Sequence, residues 1–128
     1  MFTIDTDASR DLIRAKMWGF LDVAHVDEFF VQEQRAARNL GCGSGRFLVL
    51  LDTVDAVIQS QQVVAAFMQH IMTVPLKARR VAVVRSNTLA RMQPQRILQV
   101  RDQAGIFATL AEAESWLFIP AEDVQRRA

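Results

Sequence analysis

The chain of 128 residues is 51% hydrophobic and 23% charged, which indicates one globular domain and excludes a disordered chain. Fifteen Lys and Arg residues oppose 14 Asp and Glu residues, and the resulting net charge of +1 gives no reason to expect a polyanionic partner. The single cysteine excludes an internal disulfide. Together with an acidic N-terminus that lacks an apolar signal run, it favours a cytoplasmic location.

The net charge conceals an uneven distribution along the chain. Residues 57–76 contain no Asp, Glu, Lys or Arg, whereas residues 77–101 contain seven bases and no acid. The uncharged stretch has the length of a membrane span, ~20 residues, but its polar side chains would lack hydrogen-bond partners in lipid. We therefore expect a buried amphipathic helix there and no stable membrane insertion.

The N-terminal third is predicted to form a hairpin and a helix. Alternating apolar and polar residues predict two strands, roughly Phe2–Asp5 and Leu12–Trp18. The helix begins at Asp22, whose carboxylate can accept a backbone N–H, and ends at Gly41, which tolerates a left-handed conformation. Helical spacing predicts a buried stripe made of Val26, Phe29, Phe30, Ala37 and Leu40.

The rest of the chain alternates apolar runs with helical patterns. Pro94 is expected to kink the third helix or to begin a new turn, and Thr109 with Glu112 forms the T-x-x-E pattern of a helix start. In chain order, the prediction is a strand at Phe47–Leu51, a helix at Ala56–Met72, a strand at Arg80–Arg85, a helix at Thr88–Arg101, a strand at Gly105–Ala108 and a helix through Leu117.

The resulting order, ββαβαβαβα, predicts the fold class. Strands alternating with helices favour an α/β domain with α+β-like character. We expect a mixed, mainly parallel sheet of about five strands, an N-terminal hairpin at its edge and about four helices. Residues 1–128 are expected to form a single domain, with a frayed tail at 121–128.

No arrangement of catalytic or metal-binding residues stands out in the sequence. The loop GCGSG at 41–45 follows a helix and precedes a strand, the reverse of a phosphate-binding loop. Cys42 within it has no basic neighbour to activate its thiol. His25 and His70 are expected on helix surfaces, and with one distant cysteine they make no zinc site. We therefore predict no enzyme activity, no metal and no cofactor.

The basic segment 77–101 is not patterned as a nucleic-acid surface. Arg91 and Arg96 lie about 140° apart around a helix, since each residue turns the chain by ~100°. The segment also has no aromatic side chain on which a base could stack. We expect solvated or acid-paired arginines and no nucleic acid, with contact to an acidic protein as the next alternative.

Asp52 and Ser86 follow two neighbouring predicted strands, at the sheet edge where α/β proteins collect their ligand sites. An aspartate and a hydroxyl stand at these places in phospho-receiver domains. Gly19, Phe20 and Thr109 stand near the places of a receiver's acidic pair and lysine, so the charges that would bind a metal are missing. We favour Asp52 as a turn or helix-cap residue and keep a receiver-like domain as an alternative.

Five strings that together cover nearly the whole chain occur in the order of a known family. They are WGFLD at 18–22, DVAHVDEFFVQEQRAARNLG at 22–41, FLVLLDTVD at 47–55, KARRVAVVRSNTLARMQ at 77–93 and GIFATLAEAESWL at 105–117. Together they resemble the STAS domain, specifically its SpoIIAA-like (STAS/SEC14) branch in bacteria. The resemblance implies one mixed sheet with helices largely on one side, used for protein–protein regulation or small-ligand sensing.

The same resemblance implies a phosphorylation switch at the start of helix two. Family members carry a D-S-S-G motif there, and a partner kinase phosphorylates its second serine. In this chain the stretch reads Gln59, Ser60, Gln61 and Gln62, so Ser60 is the only hydroxyl left. Ser60 is a candidate phosphorylation site, because a phosphate at a helix N-terminus would change the local charge. We favour the alternative that Ser60 is a helix N-cap.

The predicted function is a non-catalytic regulatory or interaction module. It would bind a protein partner, or a second copy of itself, through the helix-two region. The predicted interaction surface consists of Gln59, Gln62, Val63, Ala66 and Gln69.

The alternative is SEC14-like binding of a small apolar molecule or lipid. This alternative depends on large apolar side chains of the first two helices: Phe29, Phe30, Phe67, Met68 and Met72. The same side chains are equally typical of an ordinary hydrophobic core. In 128 residues we expect little room for a pocket of ~300 Å³ or more.

Overall fold

The computed structural model describes residues 1–85 and 92–120. Within them, five strands and four α-helices follow one another in the predicted order, so the predicted α/β fold class is confirmed. The elements are β1 (Phe2–Asp7), β2 (Leu12–Gly19), α1 (Val23–Leu40), β3 (Leu48–Ala56), α2 (Gln61–Thr73), β4 (Arg80–Val84), α3 (Met92–Leu98), β5 (Ala104–Phe107) and α4 (Leu110–Leu117).

The strands form one sheet in the order β1-β2-β3-β4-β5. β1 runs antiparallel to β2, and each later pair is parallel. The hairpin turns through a short 3-10 helix, Ala8–Arg10, and Asp11 after it takes a left-handed conformation with φ of 50°. Parallel neighbours require long crossover connections, and α1, α2 and α3 provide them.

The two faces of the sheet carry different helices, because successive side chains of a strand point to opposite faces. Ile13, Ala15 and Met17 of β2 belong to clusters with α1 and α2, and Ile97 of α3 packs against the same side. We call this the three-helix face. Leu12 belongs to a cluster with α4, and we call that side the α4 face. The expectation of helices largely on one side of the sheet is confirmed.

Three helix ends predicted from the sequence are confirmed by their hydrogen bonds. Asp22 Oδ1 accepts from His25 N at 2.7 Å, and His25 Nδ1 accepts from Asp22 N at 3.2 Å, which forms a reciprocal cap. Gly41 ends α1 with φ of 73°. Thr109 Oγ1 accepts from Glu112 N at 3.2 Å and begins α4. Of the predicted stripe of α1, Leu40 is only half-buried, and the other members are buried.

The predicted start of helix two was wrong. β3 continues to Ala56, which pairs with Gly19, so α2 begins at Gln61 rather than at Ala56. Pro94 is the third described residue of α3, which the structure describes from Met92 onward. The predicted helical residues 88–91 and the predicted tail 121–128 lie outside the described residues. No helix in the described ranges is both long and apolar enough to cross a membrane.

Arg80 joins β4 to the end of α4. Its side chain is only 2% exposed, and its Nη1 donates to the carbonyl oxygens of Trp116 and Leu117, both at 3.1 Å, and of Ile119. The guanidinium also lies 5.7 Å from the centre of the Trp116 ring. The last carbonyls of a helix have no partner within the helix, so Arg80 acts as the C-terminal cap of α4 from the neighbouring strand.

We expect Arg80→Met to destabilise the protein by about 2–3 kcal/mol, because the carbonyls of Leu117 and Ile119 would lose this donor and that of Trp116 would keep the N–H of Ile119. Urea unfolding followed by circular dichroism measures this loss. The neighbouring exposed Arg79 provides the control, and Arg79→Met should change the free energy of unfolding by no more than ~0.5 kcal/mol. Equal stabilities for the two variants would contradict the capping role.

Candidate functional site

A cavity of about 590 Å³ lies between the three-helix face of the sheet and helices α1, α2 and α3. This volume is within the range of small-molecule sites, ~300–1,000 Å³, so the expectation of too little room was wrong. The physical reason lies in α3, none of whose residues is fully buried, so it leaves the sheet beneath it incompletely covered. The middle of the cavity is apolar, and its wall includes Leu51, Val81, Val83, Phe30, Phe67 and Ile97.

At the carboxyl end of β3 and β4, the cavity is lined by a buried arginine. Arg85 is 9% exposed and lies on the three-helix face, since Val81, Val83 and Arg85 alternate along one side of β4. Its Nη1 donates to Thr53 O at 2.6 Å, and Thr53 Oγ1 donates to Val84 O at 2.9 Å. Burial lowers the pKa of the Arg85 guanidinium.

Gln59 joins three chain segments at the same end of the cavity. Its Oε1 accepts from Leu21 N at 2.8 Å, and its Nε2 donates to Gly19 O at 3.1 Å. Gln93 of α3 forms two bonds with the Gln59 backbone, accepting from its N–H and donating to its carbonyl oxygen, both at 2.8 Å. The loops after β2 and β3 and the start of α3 are therefore held together through one side chain.

The opposite end of the cavity contains a buried acid near a base. Glu33 accepts from Gln34 Nε2 at 2.6 Å, and Gln34 also bonds both the N–H and the carbonyl of Leu76. Burial raises the pKa of Glu33, and this effect is opposed by the Gln34 hydrogen bond and by the charge of Arg101. Arg101 Nη2 donates to Ala78 O at 2.7 Å, and burial lowers the pKa of its guanidinium.

The sequence did not predict Glu33, Arg85 or Arg101 as site residues. A signal existed for two of them. Glu33 lies three residues after Phe30 within the buried stripe of α1. Arg85 continues the alternation of the apolar strand that precedes it. Arg101 follows the end of α3, and no pattern in the sequence places it at the cavity.

The predicted helix-two surface has to be corrected. Val63 is 1% exposed and belongs to the core cluster of α1 and α2, and half-buried Ala66 packs against that cluster. The cause is the spacing of Val63 and Phe67, which turns this side of α2 towards the sheet. Gln59 is engaged in the loop junction, and only Gln62 and Gln69 of the predicted set are exposed.

Ser60 is the N-cap of α2. Its Oγ accepts from Val63 N at 3.2 Å, and the residue is half-buried. The favoured interpretation of Ser60 is therefore confirmed. Phosphorylation of Ser60 stays a prediction.

Asp52 does not end β3, which continues for four more residues. Its Oδ1 accepts from Val54 N at 3.0 Å, a turn-type bond, and its side chain shares the α4 face with Leu50. Ser86 lies outside the described residues. The sheet order 1-2-3-4-5 with an antiparallel edge differs from the 2-1-3-4-5 order of receiver domains, so the receiver interpretation is not retained. Within residues 1–85 and 92–120, no group of three His, Cys, Asp or Glu could hold a metal.

The histidines and the cysteine lie apart from one another. His25 is half-buried and caps the start of α1 together with Asp22. His70 was predicted at the surface, but it is half-buried, stacks on Phe30 with ring centres 4.6 Å apart, and has Nε2 at 2.7 Å from Asp27 Oδ1. Cys42 is half-buried beside the end of α1.

Four bases of the segment 77–101 bond to backbone carbonyls. Lys77 Nζ donates to the carbonyls of Ile71 and Met72, and Arg80, Arg85 and Arg101 also donate to backbone carbonyls. The expectation of solvated or acid-paired arginines is therefore wrong for Arg80 and Arg85, which are buried and donate to carbonyls. Carbonyl oxygens at the ends of helices and strands take the place of acidic partners.

Comparison with known structures supports the fold. The chain is similar to an uncharacterised protein from the DUF3478 family with a SpoIIAA-like fold, from Shewanella loihica PV-4. The TM-score is 0.72 at 16% sequence identity, over 91% of this chain and 93% of the other. No family model and no curated protein match the sequence. The chain therefore has a SpoIIAA-like fold, as the resemblance to the STAS domain implied.

We expect Glu33→Gln to stabilise the protein near neutral pH. Unfolded chains release this proton around the ordinary pKa of 4.5, whereas the folded protein holds it to higher pH, so stability falls as pH rises above 4.5 towards the raised pKa. Glutamine does not ionise and keeps an acceptor for Gln34. The gain in Tm should be about 4 °C near neutral pH, corresponding to roughly 1 kcal/mol.

Thermal unfolding from about pH 4 to about pH 8 measures this effect, and the gain should vanish at the acidic end, where both states are protonated. Glu28→Gln on the exposed side of α1 is the matched control and should show no pH-dependent difference. A gain for Glu33→Gln that is equal at all pH values would contradict the explanation by ionisation.

Proposed function

We propose that the protein is a non-catalytic binding module that holds a small, mainly apolar molecule in the cavity of the three-helix face. The observation that carries the proposal is the cavity itself, a partly open space of about 590 Å³ between the sheet and three helices. Apolar walls with a few polar groups at defined places are typical of small-molecule sites. This puts the SEC14-like alternative ahead of partner binding by helix two.

The polar groups at both ends of the cavity support the proposal, because each is held in place by a neighbour. Arg85 is bonded to the Thr53 carbonyl, Gln59 to the Leu21 N–H, and Arg101 to the Ala78 carbonyl. Side chains fixed in this way lose little conformational entropy when a ligand contacts them. They can therefore orient a bound molecule, while the apolar wall provides most of the affinity.

Filling the cavity should abolish binding. Leu51 is half-buried in the middle of β3 and lines the cavity, so Leu51→Trp would occupy part of its volume. We expect this variant to bind the neutral fluorescent probe N-phenylnaphthylamine at least about tenfold more weakly than the parent protein, a loss of ~1.4 kcal/mol. Titration followed by the probe's emission gives the dissociation constants.

The matched control is Val54→Trp. Val54 lies on the same strand, is exposed and does not line the cavity, so this variant should bind the probe like the parent. Native mass spectrometry of gently purified protein provides a second readout, since a bound molecule adds to the mass of the parent and not to that of Leu51→Trp. No probe binding by the parent protein would overturn the proposal.

A second candidate function is self-association through apolar side chains at the carboxyl end of the sheet. Phe20, Ile58 and Met92 are 62%, 70% and 69% exposed. They lie on the three segments that the Gln59 junction joins. Exposed apolar groups gathered on adjoining segments are typical of interaction surfaces. The interface proposed for this function therefore lies beside the start of α2 rather than along the helix.

We expect the double change Phe20→Ser with Ile58→Ser to shift the protein towards monomer, because a stable interface needs a well-packed apolar centre. Sedimentation velocity over a range of concentrations measures the change. Val31→Ser, which removes a similarly exposed apolar side chain from α1, is the control and should leave the distribution unchanged. A parent protein that stays monomeric at all concentrations would rule out self-association.

A further inference from the structure

We infer that the ligand of this cavity is an uncharged, mainly apolar alcohol whose hydroxyl group donates a hydrogen bond to Glu33. The inference rests on the proposed function and adds to it the chemical class of the ligand and the residue that orients it. Three observations support it: a carboxylate oxygen without a partner, the balance of charge at that end of the cavity and the apolar wall that leads to it.

Glu33 is a buried acid whose hydrogen bonding is incomplete. It is 7% exposed and lines the cavity, and Gln34 Nε2 donates to its Oε1 at 2.6 Å. In the part of the chain that the structure describes, this is the only hydrogen bond of the carboxylate. Every fully buried side-chain oxygen in that part has a partner. Oε2 of Glu33 is therefore not enclosed by protein atoms and faces the cavity that the residue lines.

The fold does not place a bonded cation beside Glu33. The charge of Arg101 acts on the carboxylate, but this guanidinium donates to the carbonyls of Ala78 and Asp102. Burying an acid without a bonded cation costs folding free energy, and groups that are kept at such a cost are typical of functional sites. The open oxygen of Glu33 is therefore a place for a hydrogen-bond donor of the ligand.

The end of the cavity at Glu33 has no dominant charge. Three bases and two acids line it: Lys77, Arg79, Arg101, Glu33 and Asp102. The bases oppose a cationic head group, and the acids oppose an anionic one. A hydroxyl group avoids both effects, because it offers an O–H donor to the carboxylate and carries no charge.

The apolar wall of the cavity leads to Glu33. Phe30 precedes Glu33 by three residues on α1 and lies on the same side of the helix. Phe67 of α2, Ile97 of α3 and Leu51 of the sheet pack in the cluster that contains Phe30, and all of them line the cavity. An alkyl chain against these side chains would leave water while its hydroxyl group reaches Glu33.

The first test compares two isomers on the parent protein, namely 1-octanol and heptyl methyl ether, since the ether has no O–H donor. Competition with N-phenylnaphthylamine at neutral pH gives their affinities. We expect octanol to bind about fivefold more tightly than the ether, the effect of one hydrogen bond, and also more tightly than octanoate or octylamine. Equal affinities of the isomers, or tightest binding by a charged probe, would overturn the inference and leave the proposed function standing. Failure of all four and of N-phenylnaphthylamine to bind would overturn both.

The second test measures the ratio of the two isomers' affinities in Glu33→Gln. Glutamine keeps a carbonyl oxygen for Gln34 and turns an N–H towards the cavity, and an alcohol and an ether can both accept from it. The preference for octanol should therefore fall below about twofold. Glu28→Gln on the exposed side of α1 is the matched control and should keep the preference of the parent.

A preference for octanol that persists in Glu33→Gln would overturn the inference, because the donor would then bind elsewhere. Circular dichroism checks the fold of both variants. If Glu33→Gln is unfolded, Glu33→Leu takes its place. Its side chain can neither donate nor accept a hydrogen bond, so the preference should be lost there as well, and its persistence would equally overturn the inference.

Discussion

The parallel pairing of β3 with β4 is the constraint on which both the core and the cavity depend. Its register places Leu48 opposite Arg80 and Asp52 opposite Val84. Because side chains alternate between faces, the even-numbered residues of β4 meet α4 and the odd-numbered ones line the cavity. Arg80 and Arg85 are five positions apart and therefore point to opposite faces, where one caps a helix and the other lines the cavity. A register shift of one residue would turn each arginine to the opposite face of the sheet, away from its carbonyl partners.

The segment with seven bases and no acid lies only partly in the interior: Arg80 and Arg85 are buried, whereas Lys77, Arg79 and Arg96 are exposed. Buried cations need partners, and an acid is only one kind of partner. Here the carbonyl oxygens at the ends of secondary-structure elements accept from Lys77, Arg80, Arg85 and Arg101. Carbonyls at the end of a helix carry partial negative charge. These four bases thus join elements together.

The elements could be predicted because their signals are local. Asp22, Gly41 and Thr109 mark helix ends through bonds within a few residues, and the structure confirms all three. The alternation of side chains along residues 81–85 also indicates that Arg85 points to the same face of the sheet as Val81 and Val83. The cavity could not be predicted, because its volume depends on how closely α3 approaches the sheet. The distance between α3 and the sheet results from contacts between segments far apart in the chain. The hydrophobic periodicity of the sequence does not predict this distance.

The position of Gln59 relates the two candidate functions to each other. Its side chain holds the loops after β2 and β3, and its backbone is held by Gln93 of α3. Gln59 and Gln93 line the cavity, and exposed Phe20 and Ile58 belong to the loops that this junction joins. A ligand beneath α3 would add apolar contacts that this helix lacks and so stabilise the arrangement in which Gln93 reaches Gln59. Ligand binding and the apolar edge therefore share one hydrogen-bonded junction, and the two candidate functions need not exclude each other.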